Sequence, residues 1–424
     1  MTAVKKNLNK LLILSVLLIP ILLVTGPFLP DLLLSISVLI FLFLIIGEKE
    51  LNIFKNYFFY FSLFFLLVII LNSIYSENLK SIISSIGFFR FLIFNLMIVF
   101  VLNYLNIDFR FKLFQILIVT YCYLFLEFFS QVFFGKTLIQ DVVHNSTRLV
   151  LSSFHYEEVF SSYIVRIYPL FVGLYYIFKE KISKLKILFY LLNIFVFFSV
   201  IFNGERTAIG LLIILTILML IFLKQKLVFK LSSVLFLVIF FVIVSLNLPG
   251  GNLERKIEGL NKVKDTYLNL NNEKKNSEII FFSEKYNSLY RTSYNIFKQN
   301  IIFGVGIKNF RVECSKEIYA HNKRSCSTHP HNVLFQIMAE TGMVGILYYL
   351  LIISLVVYYF FKNFFNKKIS NDKKNYITCL FLSIILTIIP FFPSGNLFNN
   401  WMLIISFFPV GFLLSEFIKK PKNK

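Results

Sequence analysis

Long apolar runs, broken at intervals by short clusters of Lys, Asn and Gly, set the pattern of this 424-residue chain. A bilayer core about 30 Å thick needs about 20 apolar residues of helix to cross it, fewer where flanking Lys and Tyr reach back to the interface. By that measure the sequence predicts twelve membrane helices, at about 11–25, 32–46, 57–74, 82–105, 113–134, 159–178, 187–202, 207–223, 231–246, 333–361, 376–392 and 400–418. One long polar segment separates the ninth from the tenth. Within it Ile257, Leu260, Val263, Tyr267 and Leu270 recur at near-helical spacing, 271–277 interrupts them, 288–300 predicts a second helix, and Gly304-Val305-Gly306 predicts a tight turn. The expected fold class is an all-α polytopic membrane protein of about 12 transmembrane helices, with a long helical periplasmic loop between spans 9 and 10. It divides into 1–247 with the first nine helices, the loop 248–332, and 333–424 with the last three.

Composition supports this reading. With 57% hydrophobic and 15% charged residues, the chain lacks the charge that a soluble globular surface requires. The formal net charge of +21 would otherwise suggest nucleic acid. Here, however, the cations cluster between apolar runs, as membrane topology demands, and nucleic acid is not an expected partner. In the short loops, 23 Lys and Arg flank one set of helix ends and 4 (Lys80, Lys136, Arg148 and Arg206) flank the other. Both termini are therefore expected in the cytoplasm and the long segment outside. The N-terminal run reads as an uncleaved first span, since no small-residue cleavage site follows it. Cys122 and Cys379 lie inside apolar runs, whereas Cys314 and Cys326 share the outer segment and can pair in an oxidising compartment.

Arginine within a membrane helix costs about 2.5–3.5 kcal/mol on insertion scales, so it usually has a partner or a function. Arg90, Arg166, Arg206 and Arg291 all fall on the outer side. Singly, each reads more readily as an ion pair or a snorkelling side chain, with Glu205 beside Arg206 and Glu157 and Glu158 near Arg166. Together, near one interface, they suit a lipid-linked anion, because the guanidinium fork matches phosphate oxygens. His329-Pro330-His331-Asn332 opens the tenth span. Pro330 suits a first helical position, which puts His331 and Asn332 in the first turn, where the helix dipole keeps an imidazole neutral and basic. No Cys or carboxylate cluster lies at ligand spacing, so no metal site and no cofactor is expected. His321-Asn322 reads as solvated loop, while Arg148, His155, Glu158, His329 and Asn332 are candidates to line the same cavity.

His331-Asn332, leading through Gln336 to Glu340-Thr341-Gly342 and Gly345, and preceded by Gly304-Val305-Gly306 and Phe310, resembles the O-antigen ligase/polymerase family. So do Asn203-Gly204-Glu205-Arg206-Thr207-Ala208 at an outer helix end, Arg291 about a dozen residues before the glycine turn, and the stretch from Arg148 to Pro169. The chain departs from the pattern at Asn300-Ile301-Ile302, where Pro is frequent before the glycine turn, and at Arg206, which follows Glu205 where a small hydroxyl residue is common.

The resemblance implies an inverting, metal-independent glycosyltransferase that takes a glycan from an undecaprenyl-pyrophosphate carrier. It passes the glycan to a sugar of lipid A-core in ligases, or to another carrier-linked unit in polymerases. His331 is then the base, Arg206 and Arg291 bind pyrophosphate, and Arg166 and Arg90 hold the second phosphate or line a lipid groove. The site would face the periplasm from a bacterial inner membrane. A twelve-helix transporter or lipid-linked oligosaccharide flippase is the alternative. Against it, no internal repeat of two comparable halves is visible.

Overall fold

The computed structural model describes residues 2–48, 50–105, 108–136, 138, 152–154, 159–225 and 283–418. Its main helices are α1 (Thr2–Val24), α2 (Phe28–Glu48), α3 (Tyr57–Tyr75), α4 (Leu79–Gly87), α5 (Phe89–Asn103), α6 (Phe109–Phe134), α7 (Phe160–Phe178), α8 (Lys186–Asn203), α9 (Arg206–Phe222), α10 (Glu284–Gln299), α11 (Val333–Phe364), α12 (Asn371–Ile388) and α13 (Asn400–Phe417). No strand occurs among the described residues. The expected span 231–246 and the periodic stretch 257–270 lie outside them, as do Arg148, His155, Glu157 and Glu158.

Among the described residues, nine helical stretches are long and apolar enough to cross a membrane, one of them joining α4 and α5. They coincide with expected spans one to seven, ten and twelve. The eighth is α9, apolar but only 17 residues long. The eleventh, α12, opens on the charged turn Asp372-Lys373-Lys374. Starts follow side-chain chemistry: Asn56, Asn78, Ser283, Asn332, Ser370 and Asn399 each accept from an N–H of the first turn that the helix itself leaves unpaired.

Helix α5, buried from Phe91 to Leu102, packs on α13, and α7 packs on α12, which makes these four the centre of the bundle. Around them, side chains such as Leu39, Phe43 and Ile46 of α2 point outward, as a lipid solvent allows. Lipid offers no hydrophobic drive between helices, so close contact and interhelical hydrogen bonds hold them. At Gly173, for example, an added Cβ would lie 3.0 Å from the Cys379 Cβ, so α7 approaches α12 as nearly as backbone permits. Trp401 Nε1 donates to the Leu23 carbonyl over 2.8 Å, and Asn103 Nδ2 to that of Ser415 over 2.8 Å.

Polar contacts separate the two ends of the bundle. At one end Lys179–Asp372 (2.6 Å), Lys181–Asp108 (3.4 Å), Arg110–Glu416 (2.9 Å) and Lys373–Glu416 (2.9 Å) tie together the lysine-rich loops. At the other, Asn400 Nδ2 donates to Asp31 (2.8 Å) and Ser81 Oγ to the Ile307 carbonyl (2.8 Å). There α10, a helical turn at Phe310–Glu313 and the segment before α11 form a cap with its own small core, Leu289, Ile296, Val305, Phe310, Cys314 and Ala339. Cys314 and Cys326 are joined in a disulfide, with Cα atoms 5.1 Å apart.

Candidate active site

The tenth expected span is not one continuous helix. α11 breaks at Gly342, whose φ of 63° and ψ of −156° lie where only glycine is at ease. The break releases backbone groups that the 300–306 loop takes up. Val305 and Gly306 donate N–H groups to the carbonyls of Ala339 and Glu340, both over 3.0 Å, while Met343 and Val344 donate to Ile301 (2.7 Å) and Ile302 (3.2 Å). An added Cβ would sit 2.5 Å from the Ile302 carbonyl oxygen at Gly342, and 2.6 Å from that of Ala339 at Gly304, so neither position admits a side chain. The two glycine motifs are therefore halves of one backbone joint.

Buried polar groups lock this joint. The Glu340 carboxylate, fully enclosed, accepts from the Phe310 N–H (3.1 Å) and from Gln336 Nε2 (3.0 Å). Gln336 Nε2 also donates to Asn396 Oδ1 (2.7 Å), and Gln336 Oε1 accepts from the Leu397 N–H (2.9 Å), which brings in the turn before α13. From α3, Asn72 Nδ2 donates to the carbonyls of Glu340 (3.0 Å) and Phe303. Most of the motif residues, in other words, build a scaffold.

That scaffold presents His331. The expectation that His331 and Asn332 occupy the first helical turn is corrected: Asn332 is the N-cap, accepting from Leu334 (2.9 Å) and Phe335 (3.2 Å), and His331 precedes the helix with φ +59°. An amide that satisfies two unpaired N–H groups fixes the start more firmly than Pro330, which merely lacks one. The positive φ of His331 is held by its carbonyl, which accepts from the Ser394 N–H over 2.8 Å, and by Asn332 Nδ2, which donates to the Pro390 carbonyl over 2.7 Å.

The His331 ring lies 4.0 Å from that of His329 and edge-on to Tyr286 at 5.7 Å, with Nε2 3.2 Å from Ser327 Oγ. Among the described residues nothing bonds its Nδ1. Burial, then the positive Lys285, lower its basicity below the ordinary histidine value. His329 is more enclosed: burial and His331 push it down to about 4. Its Nε2 faces the Ser394 carbonyl at 3.1 Å, an acceptor only, so Nε2 carries the proton and Nδ1 accepts from Thr328 Oγ1 (3.0 Å). Both rings are neutral at pH 7.

The arginines are held differently. Arg90 grips Asp31 through Nε (3.0 Å) and an NH group (2.9 Å), with its other NH group on the Gly87 carbonyl (2.8 Å). Arg166 is buried in α7 on Ser162, and the carboxylate acting on it is Glu205. Arg206 is exposed at the first residue of α9 and makes no hydrogen bond or ion pair among the described residues. Arg291, half-buried, lies on α10, which packs against α11. The end of α9 is linked to His331 through the turn before α13: Gly210, one turn past Arg206, packs on the Phe392 ring, and Phe392 accepts from Asn332 Nδ2 (3.4 Å).

Sequence reasoning passed over Ser394 and Asp31 as parts of this region. A signal for Ser394 was present, since Pro393-Ser394-Gly395-Asn396 is a polar turn between two apolar runs. A search of curated proteins finds no match to the chain. Residues 191–350, which contain Arg206, Arg291, the glycine joint and His331, match the family model described as O-antigen ligase, and this supports the O-antigen ligase/polymerase family to which the motifs point.

Proposed function

We propose that the protein is an inverting membrane glycosyltransferase. It moves a glycan from an undecaprenyl-pyrophosphate carrier to a sugar hydroxyl on the outer face of a bacterial inner membrane. The observation that carries this reading is the placement of His331: a neutral imidazole whose Nδ1 is unbonded among the described residues, held at the mouth of α11 beside the cap that carries Arg291. With Nε2–H donating to Ser327 Oγ, the Nδ1 lone pair is the base.

In the reaction the acceptor hydroxyl gives its proton to Nδ1 as its oxygen attacks the anomeric carbon, and the bond from that carbon to pyrophosphate breaks on the opposite side. Pyrophosphate leaves with the electron pair, so the step needs positive charge more than a proton donor. Arg206 and Arg291 supply it, by about 2.7–4 kcal/mol each if they act like oxyanion-hole donors. Arg90, shared with Asp31, and Arg166, enclosed beside Ser162, serve the second phosphate or the lipid groove. The Cys314–Cys326 disulfide accords with an outer, oxidising location for the 248–332 segment.

Cells lacking the gene, complemented with wild type or His331→Ala, test this by gel profiles of surface glycolipids and carrier-linked glycans. Long chains stranded on the carrier with bare lipid A-core mean ligase; single repeats on the core mean polymerase. A normal ladder with His331→Ala would remove His331 as the base.

A further inference from the structure

On the cap, α10 presents two faces. Tyr286 and Tyr290 point toward His331 and Phe335, where Tyr290 stacks on Phe335 at 4.4 Å. The neighbouring face, Glu284, Asn287 and Ser288, lines a cavity of about 420 Å³ closed on its far side by His321 to Arg324. That volume falls in the range of about 300–1,000 Å³ typical of small-ligand sites. Arg291 follows Asn287 by four residues, so the cavity and the candidate pyrophosphate cation share one stripe of the helix.

The walls are polar and partly spoken for. Ser288 Oγ donates to Asn322 Oδ1 (2.7 Å), which also accepts from the Arg324 N–H (2.8 Å), and Arg324 pairs with Glu284 (2.7 Å) at the rim. Asn287 is different. Only 8% exposed, it lines the cavity, yet its side-chain amide makes no hydrogen bond among the described residues. Neither of its polar atoms is sealed from solvent, so what exposure the amide keeps is toward the cavity it lines. Nearby, Asn322 Nδ2 and the exposed Lys323 ammonium add donors that make no hydrogen bond among the described residues. One amide with both donor and acceptor, ringed by further donors, matches the vicinal hydroxyls of a sugar.

We infer that this cavity is a glycan subsite, in which Asn287 binds a pyranose of the donor or acceptor chain next to the reaction centre. The inference rests on the glycosyl-transfer reading and names where its substrate is held. It is tested with the purified full chain by saturation-transfer NMR, using two probes: the repeat oligosaccharide released by mild acid from the cells' own carrier, and the core oligosaccharide of their lipid A-core. Wild type should bind one of them, and the probe that binds says whether donor or acceptor occupies the subsite. Asn287→Leu, which keeps the side chain's shape but removes its donor and acceptor, and Lys323→Trp, a change at an exposed position on the rim, should each weaken that binding at least tenfold.

Binding by both variants within twofold of wild type overturns the subsite, as does failure of wild type to bind either probe. If instead the variants lose binding while His331→Ala cells keep a normal ladder, the subsite stands and the base assignment falls.

Discussion

Replacing Gly342 by Ala tests the claim that the glycine motifs form a joint. At φ 63° and ψ −156° a non-glycine residue is strained by about 1–3 kcal/mol. The new Cβ would also meet the Ile302 carbonyl oxygen at 2.5 Å and the Gly304 nitrogen at 2.6 Å, both of them backbone atoms that no rotamer can move. Loop and helix must separate, which loses the bonds from Met343 to Ile301 and from Val344 to Ile302, each contributing about 0.5–1.5 kcal/mol. The sum is about 2–6 kcal/mol, against a total stability of about 5–15 kcal/mol for a typical protein.

Thermal unfolding in detergent with a thiol-reactive dye would read this loss, since Cys379 is fully buried and Cys122 half-buried. The melting point should fall by several degrees. Transfer should fall by about 10² or more even in the folded fraction, because a shift of about 1 Å at His331 suffices for that. Gly47→Ala is the control, since nothing lies within 4 Å of a Cβ there. If Gly342→Ala melted and turned over like Gly47→Ala, the joint would not be what positions the site.

Other outcomes follow from the same geometry. His331→Ala should lose about 10²–10⁴-fold in turnover with an unchanged melting point, measured by transfer in vesicles. Because the His331 basicity is lowered, the acid limb of the wild-type activity profile should have its midpoint below the value of an ordinary histidine; a midpoint above that value would contradict this. His329 sits near 4 when folded and near 6.5 when unfolded, so the unfolded state binds more protons between those values. Stability from this group is therefore full above about pH 6.5 and is lost as pH falls toward 4, by about 3 kcal/mol in all. His329→Gln should flatten the pH dependence of melting in that window. Arg206→Ala should lower turnover about 10²–10³-fold, with Lys restoring part of it, whereas Arg90→Ala should act first on melting, because it leaves Asp31 with the Asn400 amide but without its ion-pair partner.

Much of the bundle was legible because a membrane helix must be long and apolar, a signal that survives without any knowledge of packing. The signal is weaker where helices are short or charged at the start, as in α9 and α12, yet helices form there as well. The histidine and the arginines were legible as residues out of place in an apolar setting. What the sequence hid was who partners whom. Glu205 adjoins Arg206 in the chain, yet it acts on Arg166, some forty residues earlier and one helix away. Asp31, sixty residues from Arg90, satisfies it with two oxygens. Local spacing says nothing about such pairs, because they depend on how α2, α5, α7 and α9 are packed. The joint was hidden for the same reason, since its halves at 301–306 and 339–344 each read as an ordinary turn or helix.

This distribution of counter-charges bears on the chemistry. A carboxylate is directed at Arg90 and at Arg166, whereas Arg206 stands exposed at the first residue of α9 without an ion pair among the described residues. A helix N-terminus carries about half a positive charge, so a cation there is opposed by about 0.3–1 kcal/mol in the resting protein. The same field that makes the resting arrangement unfavourable makes an arriving anion more favourable, since helix end and guanidinium add. A pyrophosphate whose charge grows as its bond to sugar breaks would gain from both, and would gain most late in the reaction. In the proposed reaction Arg206 would therefore stabilise the leaving group more than the intact carrier, which is the condition for a binding interaction to raise turnover rather than affinity alone.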